Sequence, residues 1–269
     1  MFNSILIRLF GYRAAFIHGD LTLWDRWSFV RRHLPRTANG ETVFDVGCGS
    51  GAFSIGLAKR GYRAVGLSWD ERDQAVARQR AALVGATSTI FPVGDARMLD
   101  QISGHRESYE YVISLENIEH IIDDRKLMRD LAACLKPGGW LVLSTPNKDY
   151  RAITRVDDGP FETEERGWHV RRGYTHAMLR ELVEDAGLVV EEQGGCAGFL
   201  SQKLTAVMRG TGLWGWLLVL PLRILPPLFD PLFRALGWPD FSVTVVAYKP
   251  RFAGAVSAGA ASVGVGGRA

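Results

Sequence analysis

The chain has 269 residues, of which 47% are hydrophobic and 23% charged, values that predict a globular protein with a sizeable core. Its formal net charge of +3 is too small and too dispersed to indicate a nucleic-acid partner. The three cysteines are odd in number and far apart, which favours reduced thiols over a disulfide framework.

Apolar residues at helical spacing, with an aromatic cluster at Trp24, Trp27 and Phe29, predict a helical N-terminal cap over residues 1–40. A parallel sheet is predicted next, because strand and helix patterns alternate from Thr42 onward. The Lys136–Gly139 run, with one Pro and two glycines, is expected to end the fourth helix. The predicted strands are 42–46, 63–67, 88–94, 109–115, 139–145, 188–193 and 242–248, and the predicted helices are 51–60, 71–84, 124–135 and 175–187.

A glycine turn after the first strand is the strongest signal for a ligand site. Gly47, Gly49 and Gly51 follow the buried strand directly, and a helix follows them, which brings backbone N–H groups up to a ligand. The G-x-G-x-G spacing differs from the G-x-G-x-x-G of a dinucleotide site. Asp45, at the strand end, suits a ligand with a cationic amino group and discourages a pyrophosphate.

Three stretches carry a family resemblance. Phe44–Gly51 resembles the first motif of class I S-adenosylmethionine (SAM) methyltransferases. Tyr109–Ile121 and Leu135–Asn147 resemble the fourth- and fifth-strand motifs of the type 11/12 methyltransferases, in the group that contains the ubiquinone-biosynthesis O-methyltransferases. The resemblance implies a SAM-dependent methyltransferase. Its implied fold is α/β and Rossmann-like, with a seven-stranded, mostly parallel sheet and helices on both faces.

The same resemblance implies a set of cofactor-binding residues. Ser68 departs from the family pattern, because most members have an acid there that binds both ribose hydroxyls; Asp70 is expected to be the N-cap of the next helix. Asp95 resembles the residue that binds the adenine amino group, and Arg26 or Arg31 could meet the methionine carboxylate or lie on the surface. The expected set is Asp45, Gly47, Cys48, Gly49, Gly51, Ser68, Trp69, Asp95, Ala96, Leu115 and Glu116.

An E-x-x-E-H stretch at the end of the fourth strand carries the candidate catalytic residues. Glu116, Glu119 and His120, with His169 later in the chain, match positions that hold Mg²⁺ in some relatives. A metal-free alternative makes His120 or His169 the general base for a hydroxyl acceptor. In a third reading, Glu119 and His120 only orient the loop. The expected catalytic set is Glu119, His120 and His169, with no metal assigned as certain.

An apolar insertion over residues 198–240 separates the methyltransferase core, residues 41–197, from the last core strand, residues 241–250. Its longest apolar run, about ten residues, is too short to cross a membrane, and prolines interrupt it. Aromatic residues with an excess of Arg and Lys predict binding at an anionic membrane interface. A lid over the active site and a dimer contact are the alternatives. The Ala- and Gly-rich tail, residues 251–269, is expected to be disordered.

The predicted function is SAM-dependent O-methylation of a hydrophobic or lipid-linked acceptor, in a cytoplasmic protein that is peripheral on the inner face of the membrane. A soluble sugar or natural-product methyltransferase, a lipid C-methyltransferase and a non-catalytic SAM-binding protein are the alternatives. The acceptor and the oligomeric state are left open, because one fold hosts many acceptors.

Overall fold

The computed structural model describes residues 7, 9–37, 39–153 and 155–251. The predicted disordered tail therefore lies, except for Arg251, outside the described residues, as does most of the apolar stretch at residues 1–8.

One seven-stranded sheet forms the centre of the molecule, in the order β3-β2-β1-β4-β5-β7-β6. All strands are parallel except β7, which is antiparallel to both of its neighbours. This topology confirms the predicted Rossmann-like fold. The strands are β1 Thr42–Val46, β2 Arg63–Leu67, β3 Thr89–Ile90, β4 Tyr109–Leu115, β5 Leu135–Pro146, β6 Val189–Cys196 and β7 Ser242–Tyr248.

Helices cover both faces of the sheet. The strands alternate their apolar side chains between the two faces, as the pleat requires. Phe44 and Leu143 belong to the core on one face, and Val43 and Val142 to the core on the other. The helices are α1 Arg13–His18, α2 Leu21–His33, α3 Ala52–Ala58, α4 Glu71–Val84, α5 Asp124–Cys134, α6 His176–Asp185, α7 Phe199–Val219 and α8 Leu225–Ala235.

Two local predictions were wrong. The third strand is two residues long rather than seven, because Pro92 has no N–H to donate to a sheet ladder and only an isolated bridge joins Val93 to Ser68. The fifth strand begins at Leu135 rather than at residue 139: α5 ends at Cys134, as the Lys136–Gly139 run predicts, but this run then lies inside β5. Gly138 has a positive φ of 83°, and the β4–β5 register shifts beside this run, so the strand accommodates it as an irregular start.

The N-terminal helices pack on the sheet face that α3 also covers. Asp20 caps α2 by accepting a hydrogen bond from the Leu23 N–H at 3.1 Å. Trp27 then lies in the core, stacked on Phe16 with ring centroids 4.5 Å apart and packed against the backbone of Gly56. Gly56 admits this contact because a Cβ there would lie 2.7 Å from the indole ring.

The insertion folds as two helices joined by a 3₁₀ turn, Leu220–Ile224. The first helix, α7, is broken at Gly212, which has φ +58° and ψ −131°. Asp230 of α8 accepts a hydrogen bond from the Leu200 N–H at 2.6 Å and so caps the start of α7. Within the described residues, no helix is both long and apolar enough to cross a membrane.

Candidate active site

A cleft of about 220 Å³ opens at the carboxyl ends of the strands, between the turns after β1, β2 and β4. Open α/β sheets bind ligands at this edge, where the strand order reverses. Six predicted site residues line the cleft, namely Gly47, Ser68, Trp69, Asp95, Ala96 and His120. Sequence reasoning missed the remaining lining residues, which are Leu67, Gly94, Arg97, Asn117, Ile121, Glu165, Arg166 and Gly167.

The glycine turn runs under the cleft in a conformation that only glycine adopts readily. Gly47, Gly49 and Gly51 all have positive φ, at 84°, 49° and 77°. A side chain at position 47 would also clash with its surroundings, because its Cβ would lie 2.6 Å from the Asn117 side chain. Gly47 therefore lets Asn117 reach the cleft.

Two predicted cofactor residues of this turn face the protein interior. Asp45 is buried and accepts a hydrogen bond from the Ser54 hydroxyl at 2.6 Å. Burial raises the pKa of this carboxyl to about 7, and Asp45 does not line the cleft. Cys48 is buried beside Gln74, which donates hydrogen bonds to the carbonyls of Gly66 and Pro92 at 2.9 and 2.7 Å. The buried Gln74 therefore joins the second strand to the segment that follows the third.

The end of β2 supplies a hydroxyl and an indole. Ser68 lies at the bottom of the cleft, and its Oγ accepts a hydrogen bond from the Asp70 N–H at 3.4 Å. The Trp69 side chain is 66% exposed on the rim, opposite Gly167. Asp70 accepts from the Arg72 N–H at 2.8 Å, which confirms that it is the N-cap of α4.

A line of charges crosses the cleft near the end of the third strand. Both oxygens of Asp95 accept hydrogen bonds from Arg97, whose Nη1 also lies 2.7 Å from Glu165 Oε2. The Arg97 contact lowers the pKa of Asp95 and keeps it ionised. Without a ligand, Asp95 is thus paired with Arg97. A ligand that uses Asp95 must therefore share it with Arg97 or displace that side chain.

The end of β4 directs its two candidate cofactor residues away from the cleft. Leu115 is buried in the core on the α3 face. Glu116 has a positive φ of 51°, and its Oε1 accepts hydrogen bonds from the hydroxyls of Ser144 and Ser242 at 2.8 and 2.9 Å. Glu116 therefore links β4 to β5 and β7 at the carboxyl edge of the sheet.

Glu119, His120 and His169 come together beside the cleft. Glu119 Oε1 lies 3.8 Å from His120 Nε2 and 4.0 Å from His169 Nε2, and the two rings are 4.6 Å apart. A backbone hydrogen bond holds the two segments together, since the Val170 N–H donates to the Glu119 carbonyl at 3.0 Å. The segment after β5 therefore carries His169 to the end of β4.

Burial controls the charge of these three groups. Burial, with the nearby charge of Glu116, raises the pKa of Glu119 well above its usual value. Burial lowers the pKa of His120, and burial together with His120 lowers that of His169 to about 4. Both imidazoles are consequently neutral near pH 7, the form that accepts a proton or ligates a metal.

The same three side chains fit a divalent cation. One potential ligand atom from each lies within 4.8 Å of the others. Glu119 Oε2 accepts from Thr145, but Oε1 is buried without a hydrogen-bond partner among the described residues. Buried polar atoms normally have partners, so this oxygen marks a place for a cation or a donor. Glu116 lies outside the group, and two imidazoles suit a softer ion than Mg²⁺ better than they suit Mg²⁺ itself.

The predicted cofactor arginines lie elsewhere. Arg26 donates to the Thr22 carbonyl and hydroxyl, both at 3.1 Å, and Arg31 lines a different cavity, beside α8. Neither lines the cleft.

Comparison with known proteins agrees with this fold and cleft. A methyltransferase-domain family model matches residues 18–193. The ubiquinone biosynthesis O-methyltransferase of Hydrogenovibrio crunogenus is 32% identical over 177 residues, which cover 63% of this chain and 70% of that protein. The enzyme of the same name from Paramagnetospirillum magneticum is 30% identical over 190 residues, or 64% and 73% of the two chains.

Solved structures share the fold at low sequence identity. A SAM-dependent methyltransferase from Mesorhizobium loti has a TM-score of 0.56 at 20% identity, covering 87% of this chain and all of that one. Phosphoethanolamine N-methyltransferase 2 of Haemonchus contortus has a TM-score of 0.60 at 17% identity, covering 93% and 60%. At these identities the likeness concerns the fold alone.

The sheet order, the glycine turn and the cleft define a SAM-dependent methyltransferase. The family model matches well over half of the chain, and the chain belongs to the methyltransferase-domain family.

Proposed function

We propose that this methyltransferase methylates a hydroxyl oxygen of a hydrophobic acceptor. The observation that carries the proposal is the meeting of Glu119, His120 and His169 beside the cleft. Relatives about 30% identical bear the name of an O-methyltransferase of ubiquinone biosynthesis, which supports an oxygen acceptor with an apolar body.

Transfer to a hydroxyl needs a proton acceptor. SAM supplies a methyl group on a positively charged sulfur, and the hydroxyl oxygen that receives it must lose its proton. His120 lines the cleft as a neutral imidazole and is the candidate base, with His169 packed edge-on against its ring. If a divalent cation is used, Glu119, His120 and His169 would hold it and it would acidify the hydroxyl.

Product analysis tests the reaction. The full chain is incubated with SAM and 4-nonylcatechol, a catechol with an apolar tail, and with catechol itself. We expect O-methylated 4-nonylcatechol, and a lower rate with catechol. The His120→Asn variant should lose on the order of 100-fold in rate. His176→Asn is the matched control, because His176 is exposed and its ring bonds the Gly194 carbonyl, away from the cleft.

A methyl group found on carbon would decide against oxygen transfer, and equal rates for the His120 and His176 variants would decide against a role of His120 in the reaction. A parallel series with EDTA and then added Mg²⁺, Mn²⁺ or Zn²⁺ separates the two roles of the histidines. Loss of activity in EDTA that one ion restores supports the cation, and unchanged activity supports the base.

We further propose that the acceptor is taken from a membrane surface by the insertion. Apolar side chains of α7, α8 and the turn between them point outward, with Trp214 at 78% exposure. Soluble proteins rarely expose a contiguous apolar patch of this kind without a use for it. The insertion patch consists of Trp214, Leu217, Leu218, Leu220, Ile224, Leu228, Phe229, Leu232 and Leu236.

The contacts of the charged residues in the insertion argue against the predicted preference for an anionic membrane. Arg209 pairs with Asp20 at 2.8 Å, Arg234 with Asp240 at 2.7 Å, and Arg223 donates to two backbone carbonyls of the N-terminal segment. Lys203 lies over the rings of Phe199 and Trp238. Since all four cations have partners within the protein, apolar contact rather than anionic lipid supports the docking.

Vesicle co-sedimentation tests the docking. We expect the full chain to pellet with phosphatidylcholine vesicles and with phosphatidylglycerol-containing vesicles to within about twofold, because burial of apolar area is the driving force. A variant with Trp214, Leu218 and Leu228 changed to Ser should remain in the supernatant while binding SAM normally. If the wild-type chain stays soluble with both vesicles, the patch has another use.

A further inference from the structure

A second cavity of about 640 Å³ lies at the opposite end of the sheet from the cleft. Its walls are one side of α2, the end of β6 with the turn that follows, and the inner side of α8. We call it the β6 cavity and define it by Trp24, Asp25, Phe29, Cys196, Pro226 and Asp230. None of the described residues that line the cleft belongs to it.

Asp25 is the unusual residue of this cavity. Its Oδ2 is buried and has no hydrogen-bond partner among the described residues. Burial raises the pKa of this carboxyl to about 7. The Ser201 hydroxyl beside this carboxyl lowers its pKa but carries no charge. A buried carboxylate without an opposite charge is costly, so a group that supplied a positive charge and N–H donors here would relieve that cost.

The other charged groups around the cavity leave Asp25 unpaired. Both oxygens of Asp230 accept N–H groups at the start of α7, at 2.6 and 3.3 Å, so Asp230 is occupied. Arg234 is paired with Asp240, and Arg26, next to Asp25 in sequence, donates its hydrogen bonds to Thr22.

The rim of the cavity supplies no partner either. Glu192 pairs with His33 at 3.1 Å, and Arg31 and Arg32 are partly or largely exposed to solvent. Besides burial, the charges of Asp230 and Asp240 raise the pKa of Asp25, whereas the charge of Arg26 lowers it.

The walls beside Asp25 are apolar and aromatic. Trp24 and Phe29 come from α2, and Pro226, Pro227 and Pro231 from α8. Aromatic faces attract organic cations, and prolines add apolar surface without a backbone donor that could compete for the carboxylate. One free carboxylate among such walls suits an ammonium group better than a metal ion, which needs several ligand atoms.

We propose that the β6 cavity is a binding site for an organic cation, a primary or secondary amine carried on an apolar body, with its N–H groups on Asp25. The site is separate from the SAM cleft and does not depend on the identity of the methyl acceptor.

The test uses 2-phenylethylammonium as the probe and 3-phenylpropionate, of similar shape but opposite charge, as its control. Each is titrated calorimetrically into the full chain at pH 8, with SAM at saturation so that the cleft is filled. We expect the cation to bind at least tenfold more tightly than the anion. Asp25→Asn should weaken the cation at least tenfold, because the amide carries no charge.

A second variant protects the test against misfolding of the first. Ser28→Leu fills the cavity from α2 and leaves the Asp25 carboxyl in place, and it should also weaken the probe at least tenfold while SAM binds as before. Glu191→Gln is the matched control: Glu191 is exposed on β6 but does not line the cavity, and its loss should change binding less than twofold.

The proposal is overturned if the wild-type chain does not bind the cation in preference to the anion. It is equally overturned if folded Asp25→Asn and Ser28→Leu proteins, judged by SAM binding, still bind the cation as the wild type does.

Discussion

The cleft and the β6 cavity, at the two ends of the sheet, are formed by different kinds of structural element. At the β1–β2–β4 end, short turns of the core form most of the cleft, and the segment after β5 adds Glu165, Arg166 and Gly167. At the β6–β7 end, helices from outside the core, α2 and α8, form the walls of the β6 cavity. The comparison indicates that the glycine turn of the cofactor half is encoded by local sequence, whereas the other half depends on how separate helices dock. Changes at the two ends should therefore have different consequences.

The largest effect is expected at Gly47. Gly47→Ala should weaken SAM binding on the order of 100-fold or more, because the new Cβ would lie 2.6 Å from Asn117 and the residue has a positive φ. The control is Gly85→Ala at the end of α4, where φ is +61° but nothing lies within 4 Å. That variant should lose about 1 kcal/mol of stability and keep its SAM affinity. Calorimetry and thermal melts measure both, and equal SAM affinities for the two variants would contradict the prediction.

The Glu119→Gln variant, at the junction of the two halves, should lower the activity of the protein without lowering its stability. We expect the methylation rate to fall on the order of 100-fold while the protein melts at the same or a higher temperature. The reason is that Glu119 is fully buried, and burial disfavours its charge even though the reaction or a cation needs it. Glutamine can still accept from Thr145. A variant that is both active and destabilised would show that Glu119 only orients the loop.

Asp45 is expected to affect the cofactor half through stability and pH. Its pKa of about 7 in the folded state exceeds the usual 3.8, so the stability it contributes is complete below about pH 4 and is lost as the pH rises through 7. Asparagine has no proton to lose. From pH 5 to pH 8, the unfolding free energy of Asp45→Asn should therefore rise relative to wild type by about 3 kcal/mol, as measured by urea denaturation. A difference that is constant with pH would mean that Asp45 is ionised in the folded protein.

The two halves also differ in how well the sequence predicts them, because one depends on local sequence and the other on contacts between distant segments. The glycine turn, the Asp70 cap and the alternation of strands with helices depend on short-range rules about φ angles, capping and periodicity, and those predictions were confirmed. Arg97, Asn117 and Glu165 were missed because nothing in their local sequence shows that distant loops meet over the cleft. Glu165 reaches it only through a segment after β5 that has no regular pattern.

The sequence does not predict the β6 cavity, for a related reason. Asp25 looks like an ordinary polar residue on an amphipathic helix, since the sequence does not show that α8 will cover it. The insertion was recognised by its composition. Its cations led to the prediction of anionic lipid because the sequence does not show their partners. Those partners, among them Asp20 and the Phe16 carbonyl, lie about 200 residues away in sequence.

The smallest expected effect concerns the residue at which the cofactor half departs from its family. Ser68 lines the cleft at the position where the family resemblance implies an acid for the ribose, so we expect Ser68→Asp to tighten SAM binding by about three- to tenfold. The same change should lower the melting temperature without SAM, because Ser68 is only 7% exposed and a carboxylate there would lack a partner. Ser68→Asn is the control, because asparagine has the size of aspartate without its charge and should not tighten SAM binding. If the aspartate weakens SAM binding while leaving the ligand-free protein stable, the ribose does not lie at Ser68, and the rim formed by Trp69 and Gly167 becomes the place to search for it.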